Sequence, residues 1–270
     1  MNNSDNKKLK VGLALGGGGA RGLAHVGVLK VLEKEGIKID YLAGVSMGAF
    51  IGACYAIGLT VGEMEEEAST FNRRKAMKKM FDLANPKRSF LKGKKAEKYI
   101  NEFLEKKYFK NTKIPICITA TDLANGKEVF IKEGNLARAV RASVSVPGIF
   151  PPVKIGDRYL VDGGVVNCTP VNVLEEVGMD VIIAVDLIIK RKVKFDKAPS
   201  MMASLIQSYE IIRSQVAKNN VISNKNVILI KPELRGTIDS FKFYDIDKFI
   251  RSGEKAAEEA LPEIRKKLGL

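Results

Sequence analysis

Gly44-Val45-Ser46-Met47-Gly48 sets a serine between two glycines, each two residues away, a spacing that can expose a reactive hydroxyl. Residues 39–43 before it are a short apolar run that predicts a buried strand. Residues 49–58 after it are apolar for long enough to predict a buried helix, stopped by Gly58. At a sharp strand-to-helix turn of this kind the serine backbone is strained and its hydroxyl is pushed out at the carboxyl edge of the sheet. Side chains in place of Gly44 and Gly48 would collide across the turn. The following helix points its unpaired N–H groups and positive dipole end at the hydroxyl, which favours a developing anion.

A serine nucleophile needs a base for its proton and donors for the oxyanion it creates. Residues 10–15 read as a strand that runs into Gly16-Gly17-Gly18-Gly19-Ala20-Arg21-Gly22, and helical spacing follows at Ala24, Val28, Val31 and Leu32. Consecutive glycines let several N–H groups face one concavity at a helix start, an anion nest. Two functions compete for it. As G-x-G-x-x-G from Gly17 to Gly22, with Asp40 near the ribose-binding offset, it would serve a dinucleotide-binding module. As an oxyanion hole, the same amides would stabilise a tetrahedral intermediate formed by Ser46. A nucleotide loop gives no reason for G-x-S-x-G at the end of the next strand, whereas acyl transfer requires both. For the base there are two choices. His25 is the one histidine of the chain and lies where a helix dipole disfavours its protonation, so it reads first as a packed helix residue. Asp162 is the other; in a dry pocket its pKa would rise, and Gly163 and Gly164 leave room for close approach.

These residues need a scaffold. Strand, glycine loop, helix and the Ser46 strand make a β-α-β unit, and so a parallel sheet with a right-handed crossover. Thr60-Val61-Gly62-Glu63 is a capping box opening a helix to about residue 71. An amphipathic helix is expected over 96–107 and strands over 114–120 and 128–132 around Asn125-Gly126, a hairpin signal. A short helix over 135–142 leads to residues 143–152, a proline-pinned loop with high apolar content. Strands over 153–155 and 158–161, a short helix after Pro170, strands over 181–187 and 227–230, and helices over 201–219 and 247–268 complete the pattern.

The 270-residue length suits one large α/β core, here residues 10–270 after a polar tail at 1–9. Cys54, Cys117 and Cys168 are odd in number, far apart and set in or beside apolar runs, as expected of buried free thiols in a reducing compartment. A single histidine excludes a histidine-rich metal centre. No signal-peptide core or span-length apolar run is read, which points to an intracellular protein. The net charge of +14 and pI near 9.6 fit an anionic membrane, an acidic substrate, nucleic acid, or solvated faces with no partner. Residues 73–98 interleave basic and apolar side chains and could form a basic cap insertion, and residues 190–197 are basic too. No nucleic-acid recognition motif or stacking array is present.

The order of these motifs resembles the patatin-like phospholipase family: a G-G-G-x-R-G loop from Gly17 to Gly22, the Gly44 to Gly48 elbow, and Asp162-Gly163-Gly164 downstream. The stretch from Ala142 to Pro151 looks like the family's segment ahead of its aspartate. The similarity spans roughly residues 10–190 and is nearest to short bacterial members, akin to the catalytic domain of neuropathy target esterase. The resemblance implies a three-layer α/β/α fold with a mostly parallel sheet. It makes Ser46 the nucleophile, Asp162 the base of a Ser-Asp dyad, and the Gly17, Gly18 and Gly19 amides the oxyanion hole, with Arg21, Gly22, Gly44, Gly48, Gly163 and Gly164 supporting them. It also implies lipid or acyl-ester substrates, a transacylase variant, no metal and no cofactor. The expected location is the cytoplasm, with peripheral contact to the inner face of an anionic membrane.

Overall fold

A strand covered on both faces needs an unbroken apolar run, and β1 (Val11–Leu15) and β7 (Val181–Val185) are such runs, buried at every residue and paired in parallel. In a computed structural model describing residues 8–70, 82, 89, 91–188, 198–219, 224–234 and 246–270, they centre an eight-stranded sheet. Its order is β5-β6-β3-β2-β1-β7-β8, with β4 also paired to β3. β2 (Tyr41–Val45), β3 (Ile116–Asp122) and β8 (Val227–Ile230) join β1 and β7 in parallel. β4 (Glu128–Ile131), β5 (Val153–Ile155) and β6 (Arg158–Asp162) form the antiparallel side. The hairpin expected at Asn125-Gly126 joins β3 to β4, with Gly126 at φ +69°.

Side chains alternate across the sheet, and the alternation separates two layers. Leu13, Leu15, Leu42, Ile118 and Ile183 face a large core with α1 (Ala24–Lys34), α2 (Met47–Ala56) and α8 (Ile246–Leu268). Ala14, Ala43, Cys117, Ile182 and Ala184 face a smaller core under α6 (Val171–Glu176). The architecture is therefore the expected one, a mixed, mostly parallel sheet with helices on both sides. The capping box forms, with Glu63 N–H donating to Thr60 Oγ1 at 3.2 Å and Thr60 N–H to Glu63 Oε2 at 2.7 Å, and opens α3 (Val61–Thr70). Lys94–Phe103 is α4, Leu136–Ser143 is α5 and Met201–Asn219 is α7. Most of the proposed basic cap, residues 73–81, 83–88 and 90, lies outside the described residues, as do residues 190–197. Of the remainder, Asp82 accepts from the Gly93, Lys94 and Lys95 N–H groups and so caps α4.

Register explains how residues far apart in sequence become neighbours. The Ser46 strand runs two residues further than its apolar run suggests, because Gly44 and Val45 pair with Ile118 and Thr119 of β3. β4 pairs with residues 118–121 of β3, overlapping the registers of both β2 at 116–119 and β6 at 120–122. A strand has two edges, so β4 occupies one while β2 and β6 share the other, end to end. Val45 pairs with Thr119, the chain then turns away, and Asp162 pairs with Ala120 at the next position. Asp162 thus fills the place that residue 46 would take if β2 continued.

Candidate active site

Ser46 sits at φ +55° and ψ −123°, a left-handed conformation that a side-chain-bearing residue adopts only when its surroundings impose it. A Cβ on Gly48 would come 2.1 Å from the Leu15 carbonyl oxygen, and one on Gly44 would come 2.7 Å from the Ala49 Cα. Only glycine lets the elbow close this tightly against β1. The Ser46 N–H donates to Ser143 Oγ at 2.8 Å, and Ser143 in turn donates to the Thr119 carbonyl at 2.7 Å. The end of α5 therefore holds the nucleophile's backbone to β3.

The Ser46 hydroxyl donates to Asp162 Oδ2 at 2.7 Å, and the Gly164 N–H donates to the other carboxylate oxygen, Oδ1, at 2.8 Å. The Asp162 backbone is pinned as well: its N–H donates to the Ser145 carbonyl and its carbonyl accepts from Thr121 Oγ1. Burial pushes the Asp162 carboxyl above the usual carboxylate range, against opposing pulls from Arg213, Ser46, the Gly164 N–H and Tyr209. His25 is not at this pair. Its Nε2 lies 2.7 Å from the Gly16 carbonyl and so carries the proton donated there, and burial lowers its pKa to about 4.

The glycine loop is held by its carbonyls. His25 takes Gly16, Arg213 Nη2 takes Gly17, and Arg21 Nε takes Gly18 at 3.0 Å. A peptide whose carbonyl is tied on one side must present its N–H on the other. Of the three amides singled out in the sequence, Gly17 N–H already donates to the Cys168 carbonyl at 3.0 Å. Among the described residues the Gly18 and Gly19 N–H groups have no acceptor. Asp40, the carboxylate of the dinucleotide alternative, accepts from the Val11 N–H at 2.9 Å, inside the strand layer.

A cavity of about 150 Å³ opens beside Ser46 and Asp162. Its walls are mainly apolar, with Phe50, Tyr99, Phe103, Val146, Ile149 and Ile206 among them. The apolar loop over 143–152 thereby gains a reason: it supplies wall residues as well as the Ser143 and Ser145 contacts. Among the described residues no cluster of metal-ligating side chains forms. The sequence reading did not single out the α7 residues Tyr209, Glu210 and Arg213, which also line this cavity. A signal existed, since Glu210 and Arg213 are the only charges in residues 198–217 of a chain that is 28% charged. Helical spacing puts Tyr209, Glu210 and Arg213 on one face.

Ser46 thus stands at the carboxyl end of a parallel strand, bonded to a buried carboxylate, in an α/β fold with helices on both faces of the sheet. Residues 13–174 match the family model described as patatin-like phospholipase, and the chain belongs to that family. The chain is 30% identical over 286 residues to lysophospholipase NTE1 of Coccidioides immitis, a match covering 96% of this chain and 18% of that protein. It is 35% identical over 178 residues to the uncharacterized NTE family protein Mb1092c of Mycobacterium bovis, covering 66% of this chain and 49% of the relative. The chain thus spans less than half the length of either. Among solved structures, VipD from Legionella pneumophila is similar in fold at a TM-score of 0.53 and 13% identity, over 95% of this chain and 67% of that one.

Proposed function

We propose that this chain is a serine-dependent lipid acyl hydrolase that cleaves carboxylic esters of phospholipids, lysophospholipids or simpler acyl esters. The observation that carries the reading is the 2.7 Å hydrogen bond from Ser46 Oγ to Asp162 Oδ2 at an apolar cavity. Asp162 accepts the serine proton as Oγ bonds to the ester carbonyl carbon, and the carbonyl oxygen takes the negative charge. The free Gly18 and Gly19 amides are the donors available to that oxyanion; Gly17 shapes the loop instead. Collapse breaks the ester C–O bond, and the proton on Asp162 passes to the departing alcohol. Water then attacks the acyl-enzyme and gives a proton to Asp162, which passes it to Ser46 Oγ as the acyl C–O bond breaks, releasing the fatty acid and regenerating the serine hydroxyl and the ionised aspartate. The apolar wall suits an acyl chain.

Family membership supports a lipid ester substrate, and the Coccidioides relative is named a lysophospholipase. Peripheral contact with an anionic membrane in the cytoplasm is part of the same proposal, supported by the +14 charge. On α7, Met201, Leu205, Ile211 and Ile212 are exposed, offering apolar surface beside the cavity wall. No helix among the described residues is long and apolar enough to cross a membrane. Purified protein should hydrolyse a short-chain chromogenic ester and release fatty acid from lysophospholipid, and Ser46→Ala should abolish both with little change in unfolding temperature. A folded Ser46→Ala protein with wild-type rates would end the hydrolase reading.

A further inference from the structure

Arg213 lies in α7, well outside the three motifs, yet it is only 3% exposed and sits between the two parts of the site. A buried guanidinium is costly unless its donors are used and its charge is opposed. One terminal nitrogen, Nη2, donates to the Gly17 carbonyl, and the other, Nη1, pairs with Glu210 Oε1 at 3.3 Å. Glu210 simultaneously pairs with Arg21 Nη2 at 2.9 Å, and Arg21 holds the Gly18 carbonyl. Two like charges that burial and mutual repulsion would separate are therefore joined by one carboxylate. The result is a bracket from α7 to two successive peptides of the loop.

The third nitrogen of Arg213, Nε, is fully buried and has no hydrogen-bond partner, and the Tyr209 hydroxyl one turn earlier is buried facing Asp162. Their position is informative. A Cβ built on Gly164 would lie 3.0 Å from the Tyr209 hydroxyl, 3.1 Å from Asp162 Oδ1 and 3.2 Å from Arg213 Nε. Both groups thus converge on the same side of the Asp162 carboxylate, across Gly164, whose missing side chain keeps the space between them open. An orphaned buried donor of this kind calls for a role.

We propose that Arg213 is a positioning residue common to both halves of the site: it fixes the glycine loop through Gly17 and presents its Nε edge to Asp162. The proposal rests on Ser46 and Asp162 being the reacting pair. Its first action is geometric, since the peptide that joins Gly17 to Gly18 cannot rotate while Arg213 holds its carbonyl, and this fixes the direction of the Gly18 amide, as Arg21 does for that of Gly19. Its second is electrostatic. The groups facing Asp162 are the Ser46 hydroxyl, the Gly164 N–H, the Tyr209 hydroxyl and Arg213, and only Arg213 carries a positive charge. Burial works against the Arg213 charge, but Glu210 foremost among its neighbours leaves its pKa raised, so the cation persists. It favours the ionised form of a carboxylate that burial would otherwise protonate.

The two actions separate in a pair of variants. Arg213→Met removes both the fork and the charge, while Arg213→Lys keeps a charge without the fork geometry. On a short-chain ester, kcat of both should fall about 10²-fold, the scale of a displaced catalytic group, with KM changing only a few-fold. Affinity for an alkyl trifluoromethyl ketone, which forms the tetrahedral oxyanion, should fall in parallel with kcat. The acid limb of the kcat/KM profile should move to higher pH in Arg213→Met and stay near the wild-type position in Arg213→Lys. If Arg213→Met does not fold, a low kcat with an unmoved acid limb in Arg213→Lys still supports the proposal. A folded variant of either kind with wild-type kcat and ketone affinity overturns it, as does an Arg213→Met limb at the wild-type pH. Wild-type protein that neither turns over ester nor binds the ketone would instead fail the hydrolase reading itself.

Discussion

Burial shifts the pKa values of His25 and Asp162 in opposite directions, and the consequences differ. His25 is kept neutral by burial, its pKa lowered from 6.5 to about 4. A base depressed on folding contributes stability that is complete above pH 6.5 and is lost as pH falls through the folded value. The depression corresponds to about 3 kcal/mol. We expect the unfolding temperature of the wild type to drop between pH 6.5 and pH 4 and that of His25→Gln, which can still donate to Gly16, to drop less; parallel melting curves would contradict this. Asp162 is pushed the other way, so its ionisation costs stability as pH rises through its folded pKa. Asp162→Asn should therefore unfold at no lower a temperature than the wild type at pH 8. Because the amide cannot accept the serine proton, its chemical step should fall by at least ~10²-fold. Loss of activity with a lower melting temperature would assign Asp162 a structural role instead.

At the scale of elements, the legible part of the site is the part built from short contiguous motifs. The glycine loop, the elbow and the Asp162 turn each carry glycines because backbone approaches backbone there, and glycine is visible in a sequence. The β1-α1-β2 order was readable for the same reason, and the lengths of α7, β8 and the hairpin at Asn125-Gly126 followed from periodicity and turn chemistry. What was not legible depends on pairing between distant segments. Nothing in the sequence says that β6 continues along the edge that β2 leaves, which is what puts Asp162 beside Ser46. Ser143 falls in the family-like stretch from Ala142 to Pro151, but nothing in that stretch says that its hydroxyl holds the Ser46 N–H. Ser143→Ala removes that acceptor and leaves two buried backbone groups, the Ser46 N–H and the Thr119 carbonyl, without their hydroxyl. Destabilisation of about 1–3 kcal/mol is expected, together with slower acylation. Denaturant titration and pre-steady-state ester cleavage would check it; unchanged acylation would remove α5 from the account.

Across the whole molecule, the basic surplus is the property that motifs leave unassigned. Lys94 and Lys95 are exposed at the start of α4, and the apolar residues exposed on α7 belong to a helix whose inner face walls the cavity. Near an anionic leaflet each basic residue is worth about 1 kcal/mol, fading beyond a Debye length of ~8 Å at physiological salt. Co-sedimentation should show binding to anionic but not zwitterionic vesicles, weaker at high salt and weaker in a Lys94→Glu, Lys95→Glu variant. Equal partition onto both, or none at low salt, would contradict charge-driven contact. The dinucleotide alternative predicts protection from thermal unfolding by NAD(P), with no dependence on Ser46.

Covalent labelling tests the central claim most directly. A fluorophosphonate reacts with a serine hydroxyl only where a base activates it and donors receive the phosphoryl oxygen. Peptide mass mapping of the labelled wild type should place a single adduct on Ser46, absent from Ser46→Ala and much slowed in Asp162→Asn. An adduct elsewhere, or labelling of Asp162→Asn at the wild-type rate, would contradict a Ser46–Asp162 site.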